Sequence, residues 1–370
     1  MAASAGSRTL VVKIGSSSVT TPDGQVDTAA IDKLAGEVAE ARDAGHRVVV
    51  VTSGAITAGW TSLSEGRPRP SDTATLQAVA AVGQPLLMQV WSEALQRRGL
   101  TLGQVLLAPL DFVHRSQYLF ARQTLGRLLE LGVVPVVNEN DAVADEEIRF
   151  GDNDRLAALV AHLVGAGLLV LLTDTAGLLT GDPRRQSDAS LIEEVVEIDH
   201  ELEAIAGGPG SAVGSGGMGS KLAAAKIAVW SGIEAVIADA SRPGVLAALA
   251  SGTPGVGTRF RPRQTVLPAR KLWIAFAIGA SGSIVVDSGA RQALVDRGKS
   301  LLPAGIVSVR GDFGVDDAVE LVGPDGVVFA KGLVRHASGD VAGWAGHRTE
   351  DLPEDLASEV IHRDDLVVLG

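Results

Sequence analysis

The segment Arg47-Val-Val-Val-Val-Thr52 carries four consecutive valines and is followed by a turn of small polar residues. An apolar β-branched run of this length is typical of a strand buried on both faces, as in a parallel sheet covered by helices. A second such run occupies residues 9–14, and the segment between them has Asp27 as a candidate helix N-cap and Gly45 as a candidate helix stop. Residues 9–52 therefore predict a strand–helix–strand unit with parallel strands.

The same alternation of apolar strands and amphipathic helices continues to about residue 260. It predicts further strands at 104–107, 133–137 and 168–173, and helices at 75–98, 119–131, 155–165 and 222–230. This alternation predicts an α/β fold with a mainly parallel open sheet sandwiched by helices. Ligands bind beyond the carboxyl ends of the strands in such sheets. Four loops are of this kind, those after residues 14, 52, 137 and 173.

The pattern changes near residue 258, where a basic, proline-containing segment begins. Beyond residue 280 the apolar runs are short and separated by turns, which predicts strands at 283–286, 305–309, 318–322 and 326–333. We therefore predict three parts: an α/β domain over 1–260, a linker over 261–279, and a small, mostly β domain over 280–370.

Composition and charge exclude several classes of function. The chain has 370 residues, a formal net charge of −12 and no cysteine. The negative charge disfavours nonspecific binding to nucleic acid or to anionic membranes. The absence of cysteine excludes disulfides, thiolate nucleophiles and cysteine-ligated metals. The 7 histidines show no close ligand spacing, so we assign no metal ligand.

The sequence gives no sign of a membrane anchor. Residues 1–7 lack the apolar core of a signal peptide. The most apolar stretch, 156–172, carries no charge but is shorter than the roughly 20 residues needed to span a bilayer, and we interpret it as a helix followed by a buried strand. We expect no membrane contact and a cytoplasmic location, with which the lack of cysteine is compatible.

Two short motifs follow the first two predicted strands. In Lys13-Ile-Gly-Ser-Ser-Ser18, a lysine, a glycine and three hydroxyls supply the charge and the donors that suit a phosphate chain. The segment Ser53-Gly54-Ala-Ile opens toward a helix, whose first amides bind anions. The alternatives are a strand-end lysine before an ordinary turn, and Ser53 as a simple helix N-cap.

Two polar clusters come next. Asn138-Glu-Asn-Asp141 directly follows a predicted strand, and its amide and carboxylate groups suit an ammonium or a hydroxyl. Residues 151–154, Gly-Asp-Asn-Asp, precede a helix, where one acid or amide is a normal N-cap but three in a row exceed what a cap requires. The acidic residues that a cap does not need are suited to holding the side chains of Lys13 and Lys221 in position. A solvated loop and a paired-carboxylate hydrolase are the alternatives.

The glycine-rich loop Gly214-Ser-Gly-Gly-Met-Gly-Ser-Lys221 leads into a predicted helix. It fits the spacing Gly-x-Gly-x-x-Gly of dinucleotide-binding oxidoreductases, but no strand precedes it, as that motif requires. It nearly fits the phosphate-binding loop Gly-x-x-x-x-Gly-Lys-Ser/Thr, but Ser220 stands before the lysine instead of after it. A flexible loop with a lysine at a helix N-terminus still suits a triphosphate, and an ordinary surface loop is the alternative.

In their order along the chain, these motifs resemble those of the amino acid kinase family. The matching segments are, in order, Val-Val-Lys13-Ile-Gly, Val-Thr-Ser53-Gly-Ala-Ile, Ala-Ala-Val-Gly83-Gln, Asn138-Glu-Asn-Asp141-Ala-Val, Gly151-Asp-Asn-Asp154, Leu-Leu-Thr173-Asp174-x-x-Gly-Leu, Asp182-Pro-Arg and Gly216-Gly-Met-x-Ser-Lys221. Residues 298–306, Gly-Lys-Ser-Leu-Leu-Pro-Ala-Gly-Ile, are similar to the signature of a PUA domain, a small β module often found on RNA-modifying enzymes. The resemblance covers nearly the whole chain.

The resemblance implies a role for each matching residue. It implies that Lys13 and Lys221 contact the transferring phosphoryl group and that Asp154 holds both lysines in place. It implies substrate contacts for Ser53, Gly54, Asn138, Asp141, Asp152 and Asn153. It implies ATP contacts for Lys13, Thr173, Asp174, Ser215, Gly216, Gly217, Met218, Gly219, Ser220 and Lys221.

The implied reaction is phosphorylation of the γ-carboxylate of L-glutamate by ATP, the first step of proline biosynthesis, with Mg²⁺ as cofactor. The carboxylate is already ionised at pH 7, so the reaction needs no general base. Its difficulty is the approach of one anion to another, which calls for Mg²⁺, lysines and backbone amides. The resemblance further implies feedback inhibition by proline, a downstream glutamyl phosphate reductase, and a homodimer or homotetramer.

Two alternatives stay open at this stage. The first is another carboxylate kinase of the same family, acting on N-acetylglutamate or aspartate, although the two Asn/Asp clusters and the C-terminal module favour glutamate. The second is an RNA-binding protein, suggested by the PUA-like segment. Residues 280–370 contain 8 Lys and Arg against 15 Asp and Glu, a net charge of −7, which disfavours RNA binding. We therefore expect this module to serve assembly or regulation.

Overall fold

The structure, a computed structural model, describes residues 7–64, 67–112, 114–143, 153–181, 189–206, 217–264, 266–348, 351 and 359–369. The chain divides into two units, Met1–Val266 and Leu267–Gly370. Each unit has a sheet and a hydrophobic core of its own.

The first unit is built around one sheet. Its strands are β1 (Thr9–Ile14), β2 (Arg47–Val51), β3 (Leu102–Leu107), β4 (Val134–Glu139), β5 (Leu168–Thr173), β6 (Glu194–Val195), β7 (Glu234–Asp239) and β8 (Thr258–Phe260). Their order in the sheet is β3-β4-β2-β1-β5-β7-β8-β6. The pairs are parallel except β7 with β8, which is antiparallel. The predicted mainly parallel α/β fold is therefore confirmed.

Helices cover both faces of this sheet. They are α1 (Thr28–Asp43), α2 (Ala55–Leu63), α3 (Thr73–Gln96), α4 (Arg115–Glu130), α5 (Asn153–Val164), α6 (His200–Ile205), α7 (Met218–Trp230) and α8 (Val245–Ala250). Helix α1 packs against α3 and α8, and α5 packs against α4 and α7. Alternate residues Leu10, Val12 and Ile14 of β1 join the core with α1 and α3. The alternate residues Thr9, Val11 and Lys13 are buried as well, as expected for a strand covered by helices on both faces.

Local signals in the sequence placed the first helix correctly. Asp27 caps α1, and its Oδ1 accepts hydrogen bonds from the amides of Ala29 and Ala30 at 3.0 and 2.9 Å. Gly45 follows the helix with φ of 89°, a left-handed conformation that favours glycine. The uncharged stretch 156–172 forms most of α5 and most of β5, so it is a helix followed by a buried strand, as predicted. Among the described residues, no helix is long and apolar enough to cross a membrane.

Helix α7 starts earlier than predicted, and strands β7 and β8 were not predicted. Helix α7 begins at Met218, four residues before the predicted start at 222. The glycines at the beginning of this helix favoured a loop in the prediction. In the structure, Lys221 and Leu222 are buried, and the helix extends into that segment. Strand β8 has only three residues, and its pairing with β7 cannot be deduced from so short a run.

The segment 261–279 contains regular structure where the sequence suggests a linker. Helix α9 (Ala269–Leu272) continues into a π-helical turn, Trp273–Ala277, and both belong to the second unit. Leu272 and Ile274 are fully buried. The basic and proline-containing start of this segment led to the linker prediction, although a short apolar run follows it.

The second unit has a sheet of its own, and it is mostly β as predicted. Its strands are β9 (Gly282–Val286), β10 (Ile306–Gly311), β11 (Ala318–Val322), β12 (Val328–Leu333) and β13 (Leu366–Val368), in the order β10-β9-β11-β12-β13. The same unit also contains helices α10 (Ser288–Arg297) and α11 (Ser338–Trp344). Strand β13 pairs with β12 and forms one edge of this sheet.

Candidate active site

A cavity of about 760 Å³ lies at the carboxyl ends of the central strands of the first unit. Its wall includes Gly15 after β1, Ser53 after β2, Asp141 after β4 and Asp174 after β5. The four loops selected from the sequence therefore meet at one place. Parallel strands end at the same edge of a sheet, which brings together segments that are distant along the chain.

Two lysines at the cavity share one carboxylate. Lys13 Nζ lies 2.5 Å from Asp154 Oδ1, and Lys221 Nζ lies 3.2 Å from Asp154 Oδ2. Ser220 Oγ also donates to Asp154 Oδ2, at 2.8 Å. The lysine side chains are only 3% and 4% exposed, and that of Asp154 is fully buried. One negative charge between two positive charges leaves a net positive charge, which suits an anionic phosphoryl group.

Two effects act in opposite directions on the pKa of Asp154. Burial raises it, because a buried carboxylate loses its hydration. The charges of Lys13 and Lys221, with hydrogen bonds from Lys13 and Ser220, lower it and prevail, so the pKa lies below its ordinary value. Asp154 is therefore ionised at neutral pH and holds both ammonium groups in place.

A network of amide side chains forms another part of the wall. Asn153 Nδ2 lies within hydrogen-bonding distance of Ser53 Oγ at 2.8 Å, the carbonyl of Thr52 at 3.0 Å and Asn138 Oδ1 at 3.1 Å. Asn138 Nδ2 in turn donates to Gln84 Oε1 at 2.8 Å. These bonds fix the orientation of Asn153. Its Oδ1 is buried and has no hydrogen-bond partner among the described residues, so it is an acceptor available to a ligand.

Asp141 adds a carboxylate to the same cavity. It lies in the short turn Asp141–Val143 that follows β4. Burial raises its pKa to about 6, because the ionised form loses hydration there. A bound ammonium would stabilise the ionised form. Asp141 and Asn153 Oδ1 are therefore two acceptors suited to a substrate amino group.

Helices α2 and α7 both begin at the cavity. Their N-cap residues are Gly54, with φ of 107°, and Gly217. At Gly54 a Cβ atom would also come within 3.3 Å of Val19 and 3.4 Å of Thr20, so both conformation and space favour glycine. Because neither N-cap residue has a side chain, the first amides of both helices are available to a carboxylate or phosphate.

The end of β5 contributes two further polar groups. Thr173 Oγ1 donates to Asp174 Oδ1 at 3.1 Å, and both residues line the cavity together with Gly217 and Met218. This part of the wall combines the glycine-led start of α7 with a hydroxyl and a carboxylate. It suits a nucleotide whose phosphates approach Lys221.

Some predicted site residues stand apart from the wall. Gly219 and Ser220 lie in the first turn of α7 and are not among the residues that line the cavity, although Ser220 supports Asp154 from behind. Asp154 is not among the lining residues either, and Lys13 and Lys221, which do line the cavity, are bound to it. The predictions for Asp152, Ser215 and Gly216 lie outside the described residues.

The structure adds residues that the sequence analysis did not assign to the site. Gln84 is buried and positions Asn138, and its presence in the matching segment that contains Gly83 was the available signal. Arg69 also lines the cavity, and so do residues near the start of α3, including Thr73 and Gln77. No motif marks this second group, because only the packing of α3 brings it to the cavity.

Comparisons with known proteins cover both units. The model of the amino acid kinase family matches residues 8–239, and the model of the PUA domain matches residues 282–355. The glutamate 5-kinase of Nocardia farcinica is 48% identical over 363 residues, which covers 98% of this chain and 97% of that protein. The glutamate 5-kinase of Trichlorobacter lovleyi is 44% identical over 370 residues, with coverage of 98% and 97%.

Solved structures show a more distant likeness. The carbamate kinase from Giardia lamblia bound to AMP-PNP has a TM-score of 0.49 and 16% identity, covering 70% of this chain and 100% of that chain. An isopentenyl phosphate kinase from T. acidophilum, solved as a product complex, has a TM-score of 0.48 and 19% identity, covering 68% of this chain and 100% of that one.

Proposed function

This chain belongs to the amino acid kinase family, and from that premise we propose that it transfers the γ-phosphoryl group of ATP to the γ-carboxylate of L-glutamate. The product is γ-glutamyl phosphate, and the reaction is the first step of proline biosynthesis. The observation that carries the proposal is a single cavity that combines two lysines bound to Asp154 with two acceptors for an amino group, Asp141 and Asn153. Full-length similarity to glutamate 5-kinases supports the choice of acid.

In the proposed mechanism, a γ-carboxylate oxygen attacks the γ-phosphorus of ATP as the bond to the ADP oxygen breaks. The attacking carboxylate is already ionised, so no residue of the chain removes a proton. Lys13 and Lys221 stabilise the charge on the transferring group, and they are held in place before the reaction by Asp154. The first amides of α2 and α7 supply further donors, and the walls of the cavity align the two substrates.

We include Mg²⁺ because phosphoryl transfer from ATP brings anions together and a divalent cation neutralises the phosphates. Among the residues that the structure describes, no group of three or more His, Asp or Glu side chains is placed to hold a metal ion. The donors that suit Mg²⁺ are therefore phosphate oxygens and water, with the carboxylate of Asp174 lining the same cavity.

The proposal also covers the enzyme that consumes the product, the regulation, the oligomeric state and the location of the protein. The product is an acyl phosphate, which is unstable in water, so we expect a glutamyl phosphate reductase to consume it. We also propose feedback inhibition by proline, a homodimer or homotetramer, and a cytoplasmic location where ATP and glutamate are available. Proline inhibition is checked by adding proline to the kinase assay, and the oligomer by light scattering.

The direct test is trapping of the acyl phosphate with hydroxylamine. We expect ATP- and Mg²⁺-dependent hydroxamate with L-glutamate, and little with N-acetylglutamate or L-aspartate. Product with only one of the other acids would keep the chemistry and replace the substrate. No product with any of the three would contradict the proposal.

Single substitutions of the lysines test the proposed chemistry. We expect Lys13→Ala and Lys221→Ala each to lower turnover by about 10²–10³, since each removes one charge that stabilises the transferring group. Lys226→Ala is the matched control, because Lys226 lies on the same helix α7 but pairs with Glu203 at 2.7 Å and is not among the cavity residues. Near-normal turnover in both active-site variants would refute the role of the lysines.

A further inference from the structure

We propose that Arg69 binds the α-carboxylate of the amino acid substrate and thereby selects acids with a free α-carboxylate. The inference rests on the proposed function, because it concerns the second charged group of the same substrate. L-Glutamate carries two carboxylates and one ammonium at neutral pH. In that mechanism the two lysines serve the transferring phosphoryl group, where the γ-carboxylate reacts, and Asp141 with Asn153 serves the ammonium, which leaves the α-carboxylate without a cation of its own.

The charges around the cavity identify Arg69 as that cation. Among the described residues, three cationic side chains line the cavity: Lys13, Lys221 and Arg69. The first two are bound to Asp154. Arg69 is exposed, and no described residue forms a hydrogen bond or ion pair with its guanidinium. A guanidinium presents paired N–H groups that match both oxygens of a carboxylate.

The position of Arg69 along the chain suits the head group of an amino acid. It lies in the segment between α2 and α3, and the first turns of both helices, including Thr57 and Thr73, line the cavity beside it. Helix α3 also contacts the turn that carries Asp141. The α-carboxylate and the ammonium are bonded to the same carbon, so their protein partners must lie on the same side of the cavity. Arg69, Asp141 and Asn153 line one cavity, as this requirement demands.

The neighbouring Arg67 provides a matched comparison. Its guanidinium is already bound, since Nε donates to the carbonyl of Ser64 at 3.1 Å and Nη2 donates to the carbonyl of Leu63 at 2.8 Å. It does not line the cavity. Two arginines in one exposed segment therefore differ in whether the guanidinium is available to a ligand at the cavity.

The test compares L-glutamate with its α-amide, which keeps the γ-carboxylate and the amino group but lacks the α-carboxylate charge. Full-length wild-type, Arg69→Gln, Arg69→Lys and Arg67→Gln proteins are assayed for hydroxamate with each substrate. We expect Arg69→Gln to raise the KM for L-glutamate about tenfold or more, as loss of a hydrogen bond to a charged group implies. The KM for the α-amide and the KM for ATP should stay unchanged, and Arg69→Lys should restore part of the loss.

The outcomes separate this inference from the proposed function. Equal changes of KM for both substrates, a change confined to the KM for ATP, or the same effect in Arg67→Gln would overturn the role of Arg69 while wild-type activity persists. If wild-type protein forms no hydroxamate from L-glutamate, the proposed function fails first, and the inference fails with it.

Discussion

At the scale of single residues, the site depends on one buried carboxylate between two ammonium groups. Asp154 is reached by Lys13 and Lys221 from two different elements, the end of β1 and the first turn of α7. Removing one partner from a buried ion pair usually destabilises a protein strongly, because the remaining charge keeps its desolvation cost without its partner. The arrangement therefore connects the stability of the first unit to the position of the two lysine charges that we propose for catalysis.

We expect Asp154→Asn to lower the free energy of unfolding by about 3 kcal/mol and to lower turnover as well, because two buried lysines would face each other. Urea denaturation at pH 8 measures the first effect. Asp32→Asn is the control: Asp32 pairs with Arg97 and Arg98 but is 40% exposed, so its loss should cost about 1 kcal/mol or less. Equal losses in the two variants would contradict the argument.

The same pair has a defined pH dependence. The pKa of Asp154 is lowered in the folded protein, so its contribution to stability is present above the pKa of the unfolded chain and is lost as the pH falls through the folded value. Asp141 behaves in the opposite way. Its pKa is raised to about 6, so its protonated form contributes stability at low pH that is lost as the pH rises through about 6.

The raised pKa of Asp141 predicts how substrate affinity changes with pH. Below about pH 6 the carboxylate becomes protonated and loses its attraction for an ammonium, so the KM for L-glutamate should rise as the pH falls from 7 to 5. In Asp141→Asn the KM should be high and nearly independent of pH over this range. Steady-state kinetics at constant ionic strength test this, and an unchanged pH profile in the variant would assign the titration to another group.

At the scale of elements, the cavity depends on the close crossing of α2 and α3. Gly59 of α2 and Gly83 of α3 face each other there. A Cβ atom on Gly83 would lie 1.8 Å from the carbonyl oxygen of Ala55, and one on Gly59 would lie 2.0 Å from that of Val79. Glycine is required at both positions because the two backbones touch. Since α2 starts directly after Ser53 and Gly54, this crossing also positions part of the cavity wall.

We expect Gly83→Ala to lower the free energy of unfolding by about 1–3 kcal/mol, the usual effect of overpacking, and to raise the KM for L-glutamate as α2 shifts. Gly126→Ala in α4 is the control, because nothing lies within 4 Å of a Cβ there and alanine is the better helix former. Thermal unfolding and kinetics of both variants test the prediction. A Gly83→Ala protein as stable as wild type would show that the crossing tolerates separation.

At the scale of the whole molecule, the described part of the proposed active site lies within one unit. The residues that line the cavity, from Lys13 to Lys221, all lie in Met1–Val266. That unit also contains its own hydrophobic core. The second unit has a separate sheet and core, and its net negative charge disfavours an independent role on RNA.

A chain truncated after Val266 should therefore fold and keep the ability to form hydroxamate from L-glutamate. We expect a kcat within about tenfold of the full chain, since the groups that stabilise the transition state are retained. Circular dichroism and the hydroxamate assay measure fold and activity separately. A folded but inactive truncated protein would indicate that the second unit completes the active site.

The sequence could predict those parts of this architecture that depend on local patterns. The valine run at 47–52, the N-cap Asp27 and the uncharged stretch 156–172 each reflect burial or capping of a continuous segment, and each was predicted correctly. The start of α7 was predicted wrongly, because tertiary burial of Lys221 outweighed the local preference of its glycines.

By itself, the sequence determined the alternation of strands and helices, the mainly parallel sheet and the loops that carry polar motifs, because all of these follow from hydrophobic periodicity and turn chemistry along the chain. Only the tertiary structure decided that Lys13 and Lys221 share Asp154, that Gln84 holds Asn138 and that Arg69 borders the cavity. These contacts join residues from different elements. Their distances depend on how the sheet and its helices pack, and no spacing along a single chain encodes that packing directly.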